Sequence, residues 1–158
     1  MKNYGSFYRT YKEKLFGYLI RRTVDYHLSS DIMQESFARF LNRYGPESEN
    51  VPLLFTIARN ALLDHFRKKT IRNEQFTDIE GVTSDPEQQF LIREEYQRVL
   101  AAMEKLERDE RDILSLTVSS DMTYREIASV VGISEANVKV KVHRARIKIR
   151  KLLETGEK

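Results

Sequence analysis

The sequence predicts an all-α protein: two small helical domains joined by a flexible acidic linker, the second ending in a helix-turn-helix. Three observations lead there. Apolar residues recur at steps of three and four along most of the chain, the period of a helix with one buried face. A stretch rich in acids and poor in that periodicity divides the chain near its middle. Finally, TYREIASVVGISEANVKVKVHRARIKIRK, from Thr123 to Lys151, carries the capping and turn signals of two closely joined helices. The expected domains are residues 1–70 and 86–158, with 71–85 as the linker.

The first helix is expected from about Asn3 to Thr23, where Tyr4, Phe7, Tyr8, Tyr11, Leu15, Tyr18 and Leu19 form an aromatic-rich core stripe. Ser29 or Ser30 is the expected cap of a second helix ending near Tyr44. Met33, Phe37, Phe40, Leu41 and Tyr44 fall on one side of it; Asp31, Gln34, Glu35, Ala38 and Asn42 fall on the other. Asp31 and Glu35 are one turn apart with no Lys or Arg between them, a spacing that mildly destabilises an isolated helix. Early carboxylates favour the helix dipole, which is a structural account. The other account is a docking face for a basic or amide-rich partner.

Gly45 to Pro52 reads as a loop, and Pro52 suits the first turn of a third helix, where its missing donor costs nothing. In PLLFTIARNALLDHFRKK the inner face is Leu54, Ile57, Ala58, Ala61, Leu62 and Phe66. Arg59, Asn60, Arg67, Lys68 and Lys69 are its polar and cationic groups. From Asn73 to Glu95 there are seven acids against Arg93 alone. Their mutual repulsion predicts an extended segment and two domains that move independently in the free protein. Asp85, Pro86 and Gln88 then supply cap, first-turn proline and capping-box partner for the next helix. Phe90, Leu91, Tyr96, Val99, Leu100, Met103 and Leu106 carry that helix forward; Ile113, Leu114 and Leu116 belong to another.

Thr123 and Glu126 have the spacing of a capping box. Ile127, Ala128, Val130 and Val131 are the apolar side of the short helix that follows. Gly132 gives the turn its backbone freedom and Ser134 is a suitable cap for the last helix. In that helix Val138, Val142, Ala145, Ile149 and Leu152 form the buried stripe, and Ala136, Asn137, Lys139, Val140, His143 and Arg144 project away from it. Lys139 to Lys151 holds seven Lys or Arg and no acid. Such a face can be no more than a solvated one. With the capping box and glycine turn, it fits a recognition helix for the DNA major groove.

Composition narrows the alternatives. The net charge of the 158 residues is only +3, yet the pI is about 9.1 and the charge is uneven, which points to a local polyanion site. Cysteine is absent, which excludes disulfides, thiolate metal sites and a cysteine nucleophile. His27, His65 and His143 are far apart, and no phosphate loop or nucleophile–base pair is present, so no metal, cofactor or catalytic residue is expected. An enzyme acting on nucleic acid would need a carboxylate or histidine cluster, and Asp31 with Glu35 lacks a third ligand. No apolar run approaches the roughly 20 residues of a membrane span and no signal-peptide pattern is present. A cytoplasmic binding protein, not inserted in a membrane, is expected.

Three stretches resemble one family, the extracytoplasmic-function (ECF) sigma factors of bacterial RNA polymerase. DIMQESFARF is similar to its D-x-x-Q-E-x-F-x-R helix. LLFTIARNALLDHFRKK is similar to its W-L-x-x-I-A-R-N-x-x-x-D-x-x-R-K signature, and YREIASVVGISEANVKVKVHRARIKIRKLL to its Y-x-E-I-A…G-I-S-x-x-x-V-K-S-R-L-H-R-A-R end. The resemblance implies a dissociable polymerase subunit with core RNA polymerase, promoter DNA and an anti-sigma factor as partners. By motif position, Asp31, Gln34, Glu35 and Phe37 fall in the polymerase-docking helix, with Phe37 turned inward as a support. Arg59, Asn60, Arg67 and Lys68 fall where the family handles the −10 element. Ser134, Asn137, Lys139, Val140, Lys141 and Arg144 fall on the helix that reads the −35 element. The resemblance also implies that the acidic segment threads polymerase near the RNA path; the rival expectation is that it folds back over the basic helix.

Two positions depart from the pattern. Leu53 stands where the family has Trp, and Val140 where it has Ser, so a hydrogen-bonding group is exchanged for one suited to a thymine methyl. The alternative to a sigma factor is an autonomous helix-turn-helix regulator with an N-terminal oligomerisation or sensing domain. That reading leaves the polar face from Asp31 to Asn42 without a purpose.

Overall fold

A computed structural model of the chain describes residues 4–72 and 94–154. They form seven helices: α1 (Tyr4–Thr23), α2 (Tyr26–Tyr44), α3 (Val51–Arg72), α4 (Glu94–Glu104), α5 (Arg108–Ser119), α6 (Tyr124–Val131) and α7 (Glu135–Glu154). The acidic stretch over 73–93, and with it the helix start at Asp85 and Pro86, lies outside the described residues. Helix α3 runs through Arg72, past the expected edge of the first domain.

The aromatic stripe of α1 is core, as its spacing predicts. Phe7 stacks on Phe40 at 5.2 Å between ring centroids, and Tyr8 meets the edge of Phe37 at 4.7 Å. The start of α2 differs from expectation. Its cap is Asp25, whose carboxylate accepts from the Leu28 amide at 3.0 Å. Ser29 is instead buried and shares a 2.8 Å hydrogen bond with Thr23 Oγ1, which also accepts from the Asp25 amide. These bonds hold a tight corner in which Val24 has φ 50, a costly value for a β-branched residue. Asn50, in the loop before α3, caps that helix by accepting from the Leu53 amide at 3.1 Å.

Helix α5 sits at the centre. Every side chain from Glu110 to Leu116 is buried, so the middle of α5 has no face left for water, while Arg108, Asp109 and Val118 toward its ends are exposed. One side lies along α1, another along α7, while α6 lies against α3. A single apolar cluster therefore runs from Phe7, Tyr18, Phe37, Phe55 and Leu62 into Ile113, Leu116, Met122 and Ile127. Domains that move independently are not what this packing gives. The repulsion among acids in the connecting segment is local, whereas burial of α5 against α1 removes apolar surface from water over two whole helix faces.

Candidate nucleic-acid interface

The helix-turn-helix is built by its local chemistry. Thr123 Oγ1 accepts from the Glu126 amide at 3.1 Å, and Glu126 Oε1 accepts from the Thr123 amide at 2.9 Å. Gly132 ends α6 in the left-handed region, with φ 85 and ψ 32, and its amide donates to the Ala128 carbonyl at 2.8 Å. A side chain there would crowd the following carbonyl. Ser134 Oγ then accepts from the Asn137 amide at 3.1 Å and starts α7.

Val138, Val142 and Ala145 of α7 are buried, and Ile149 and Leu152 are half-buried at the same face. Opposite them Asn137, Lys139, Val140, His143 and Arg144 are exposed. Val140 is 44% exposed, an apolar side chain standing among cations. Its neighbours keep α7 in place through the other flank. Lys141 pairs with Asp109 and Lys148 with Glu110, the latter at 2.7 Å, both on α5. The Lys141 hydrogen bond holds the Asp109 carboxyl below the usual carboxylate range. Lys139 is tied only loosely, to Glu135 at 3.7 Å. Five of the six predicted −35 residues thus lie on α7 and Ser134 caps it, but Lys141 leans toward α5.

The polar face of α2 is exposed at Asp31, Gln34, Glu35 and Ala38, and Phe37 is buried beneath it at 1% exposure. Glu35 is not without a cation: Arg39, one turn on, donates to its Oε1 at 2.7 Å. The cation lies one turn beyond the Asp31–Glu35 interval rather than within it. Across from this face Lys68 pairs with Asp64 at 3.2 Å, and Arg67 with the same carboxylate. Asp31, Glu35 and Arg39 of α2 line one groove of about 520 Å³ with Asn60, Asp64 and Lys68 of α3. Residues expected to serve polymerase and residues expected to serve the −10 element therefore share a surface.

Arg59 is separated from the rest of its set. It points inward, and its Nε donates to Asp112 Oδ2 at 2.7 Å. The other oxygen of Asp112 accepts from Arg22 Nη1 at 2.9 Å and from the Tyr18 hydroxyl at 2.6 Å. Burial, and after it the Asp112 carboxylate, pushes the Tyr18 phenol well above its ordinary value, so it donates as a neutral hydroxyl. Beside this cluster Arg111 reaches the end of α1, donating to the carbonyls of Arg21 and Arg22 at 2.9 Å each. Burial, with Arg22 next to it, lowers this guanidinium to about 10, which leaves it charged at neutral pH. Sequence reading found none of Tyr18, Arg22, Arg111 or Asp112 as polar functional residues. The available signal was the charged run Arg108 to Asp112 opening a helix that continues Ile113, Leu114, Leu116. Spread over the helix, such a run cannot all reach solvent once the apolar residues are buried.

No helix of the described residues is long and apolar enough to cross a membrane, and no group of three or more acids or histidines among them could hold a metal.

Known proteins give the same outline. Residues 7–71 match the family Sigma-70 region 2, and residues 96–149 match Sigma-70, region 4. The ECF RNA polymerase sigma factor SigM of Bacillus subtilis (strain 168) is 31% identical over 157 residues, covering 94% of each chain. The RNA polymerase sigma factor YlaC of the same organism is 30% identical over 154 residues, 91% of this chain and 88% of the relative. Among solved structures, the sigma factor RpoE in complex with the anti-sigma factor NepR, from Bartonella quintana, superposes with a TM-score of 0.77 at 23% identity, covering 95% of this chain and 96% of that one. CnrH in complex with the cytosolic domain of CnrY gives 0.70 at 22% identity, over 96% and 88%. At these identities the likeness is one of fold.

Proposed function

The chain belongs to the ECF sigma factors of bacterial RNA polymerase, and from this premise we propose which of its surfaces meets which partner. It is an alternative sigma factor, bringing core polymerase to promoter DNA. In our reading the outward face of α7, with Asn137, Lys139, Val140 and Arg144, enters the major groove of the −35 element, with Ser134 at its leading end. Lys141 supplies a phosphate contact once released from Asp109. Asp31, Gln34 and Glu35, propped by Phe37, dock on polymerase. Asn60, Arg67, Lys68 and Arg59 serve the −10 element. Residues 1–70 and 86–158 are the working units on either side of a linker, and an anti-sigma factor is the expected regulator. The protein works in the cytoplasm and has no catalysis of its own.

The observation that carries this reading is the α7 face. A capped, glycine-turned helix-turn-helix supports five exposed positions free of core duties, with an apolar side chain among polar and cationic ones. A solvated surface has no use for Val140 there, whereas a groove lined by thymine methyls does. Promoters selected from a randomised library by this chain with core polymerase test the reading. Selection should yield two separated elements and should fail when core polymerase is left out. Specific binding by the chain alone, unaltered by core, would favour an autonomous regulator.

A further inference from the structure

We infer that Glu110 of α5 is a positioning residue for the −35 helix: through Lys148 it fixes the direction in which α7 runs, and so the bases that the far half of α7 reaches. This rests on the reading of α7 as the DNA face, but the observations lie on the opposite flank of that helix. Two neighbouring acids in the first turn of α5 take two lysines of α7 that are two turns apart, Asp109 with Lys141 and Glu110 with Lys148. Ala145 lies between those lysines, fully buried, and packs with Met103, Leu106 and Leu114.

The two pairs differ in their surroundings. The Glu110 side chain is only 5% exposed, and its Oε1 accepts from Lys148 Nζ at 2.7 Å. That hydrogen bond raises the Lys148 ammonium above its ordinary value. Asp109 is 48% exposed. An exposed pair gives up its partner at little cost, since water takes the vacated place. A buried carboxylate stripped of its cation is left charged in an apolar setting, which is strongly unfavourable. Lys141 can therefore pass from Asp109 to a phosphate, while Lys148 stays on Glu110. Within the basic run of α7, Lys148 is thus reserved for the protein itself.

Packing alone leaves a freedom that this pair removes. The Gly132 turn and the Ser134 cap fix where α7 begins. Apolar contact around Ala145 resists separation from α5, but that attraction has no preferred direction. A swing of the far half is opposed by the directed bond at Lys148, roughly 21 Å along the axis from Ser134. A swing of about 10° about the turn moves Asn137 by roughly 0.8 Å, Val140 by roughly 1.6 Å and Arg144 by roughly 2.6 Å. A hydrogen bond survives the first of these and not the last. Loss of the anchor should therefore blur the bases nearest Arg144 and spare those nearest Asn137.

Titrations of promoter DNA with the full-length chain and core polymerase test this, comparing a promoter selected as above with one whose −35 element is scrambled. Glu110→Gln keeps the size of the side chain and removes its charge. It should retain its helical circular dichroism, lower the preference for the selected element about tenfold, and leave the salt slope unchanged. Promoters reselected with this variant should lose definition first at the positions next to Arg144. Lys148→Gln should lose preference too, and the double variant no more than Lys148→Gln alone, because the same pair is broken in both. Full preference in a folded Glu110→Gln overturns the proposal. So does a salt slope that falls by about one in Lys148→Gln with preference intact, since Lys148 is then a phosphate contact. A parent chain that does not distinguish the scrambled element overturns the reading of α7 itself. Either single variant decides if the other does not fold.

Discussion

Lys139 and Lys141 are adjacent members of one basic run, yet the structure gives them different partners. Lys139 is exposed and only loosely held, whereas Lys141 leans on Asp109. Removing a phosphate-contacting cation lowers the salt dependence of binding by roughly one unit of slope. Lys139→Ala should show that full change in polymerase-bound promoter titrations, and Lys141→Ala a smaller one, since its contact competes with Asp109. Equal slopes for both variants and the parent would remove α7 as the DNA face. Val140 carries no charge to lose. Val140→Ser should leave the slope alone and move the preferred base at one position, within the ~1–3 kcal/mol that single mismatches usually cost; an unchanged selected promoter contradicts this. What could be read from sequence at this scale was local. Thr123 with Glu126 and Gly132 act within a few residues of themselves. Asp112 could not be found that way, because its partners lie 94, 90 and 53 positions away.

Helix α2 shows both what periodicity reveals and what it hides. The placing of Met33, Phe37 and Phe40 inward with Asp31, Gln34, Glu35 and Ala38 outward was legible, whereas the burial of Ile32 and Ser36 beside them was not. Its first turn was not, because Tyr26, His27 and Leu28 lack a stripe of their own and the capping Asp25 is displaced from it. The Glu35–Arg39 pair is about half exposed on both sides, and such pairs contribute ~0.3–0.5 kcal/mol. Asp31→Ala with Glu35→Ala should therefore leave the melting temperature nearly fixed, with the lost pair offset by relief of the like-charge spacing. Affinity for core polymerase should drop, by up to about 2–5 kcal/mol if the carboxylates are buried against cations there. Unaltered core affinity in a stably folded double variant would exclude α2 as the docking helix. Helix α5 is the opposite case: its charged residues Glu110, Arg111 and Asp112 are buried together with its apolar ones, so a division into polar outside and apolar inside misplaces them.

On the scale of the whole molecule, a core that crosses from α1 and α3 into α5 and α6 makes the described residues one cooperative body. Calorimetry of the free chain should give a single unfolding transition rather than two. Asp112→Ala leaves Arg22 and Arg59 without their anion. Breaking one side of a buried charge cluster costs ~3–5 kcal/mol while the burial persists. Undocking hydrates both arginines, so the variant should separate into two transitions at lower temperature. One transition at the parental temperature would mean that Asp112 does not hold the modules together. Helical content and a two-part chain were evident in the pattern of the sequence. Their docking was not, since the acidic stretch speaks only of its own repulsion.

Arg111 and Asp112 enter the chain late. About forty residues separate the end of α3 from them, and α1 can have no cap from Arg111, nor Arg59 its anion, until those are made. Synthesis at about 5–20 residues per second leaves the first three helices without that partner for roughly two to eight seconds. During this interval on the ribosome, Tyr18, Arg22 and Arg59 are open to whatever reaches them first. A nascent chain is therefore at its most available before it is complete.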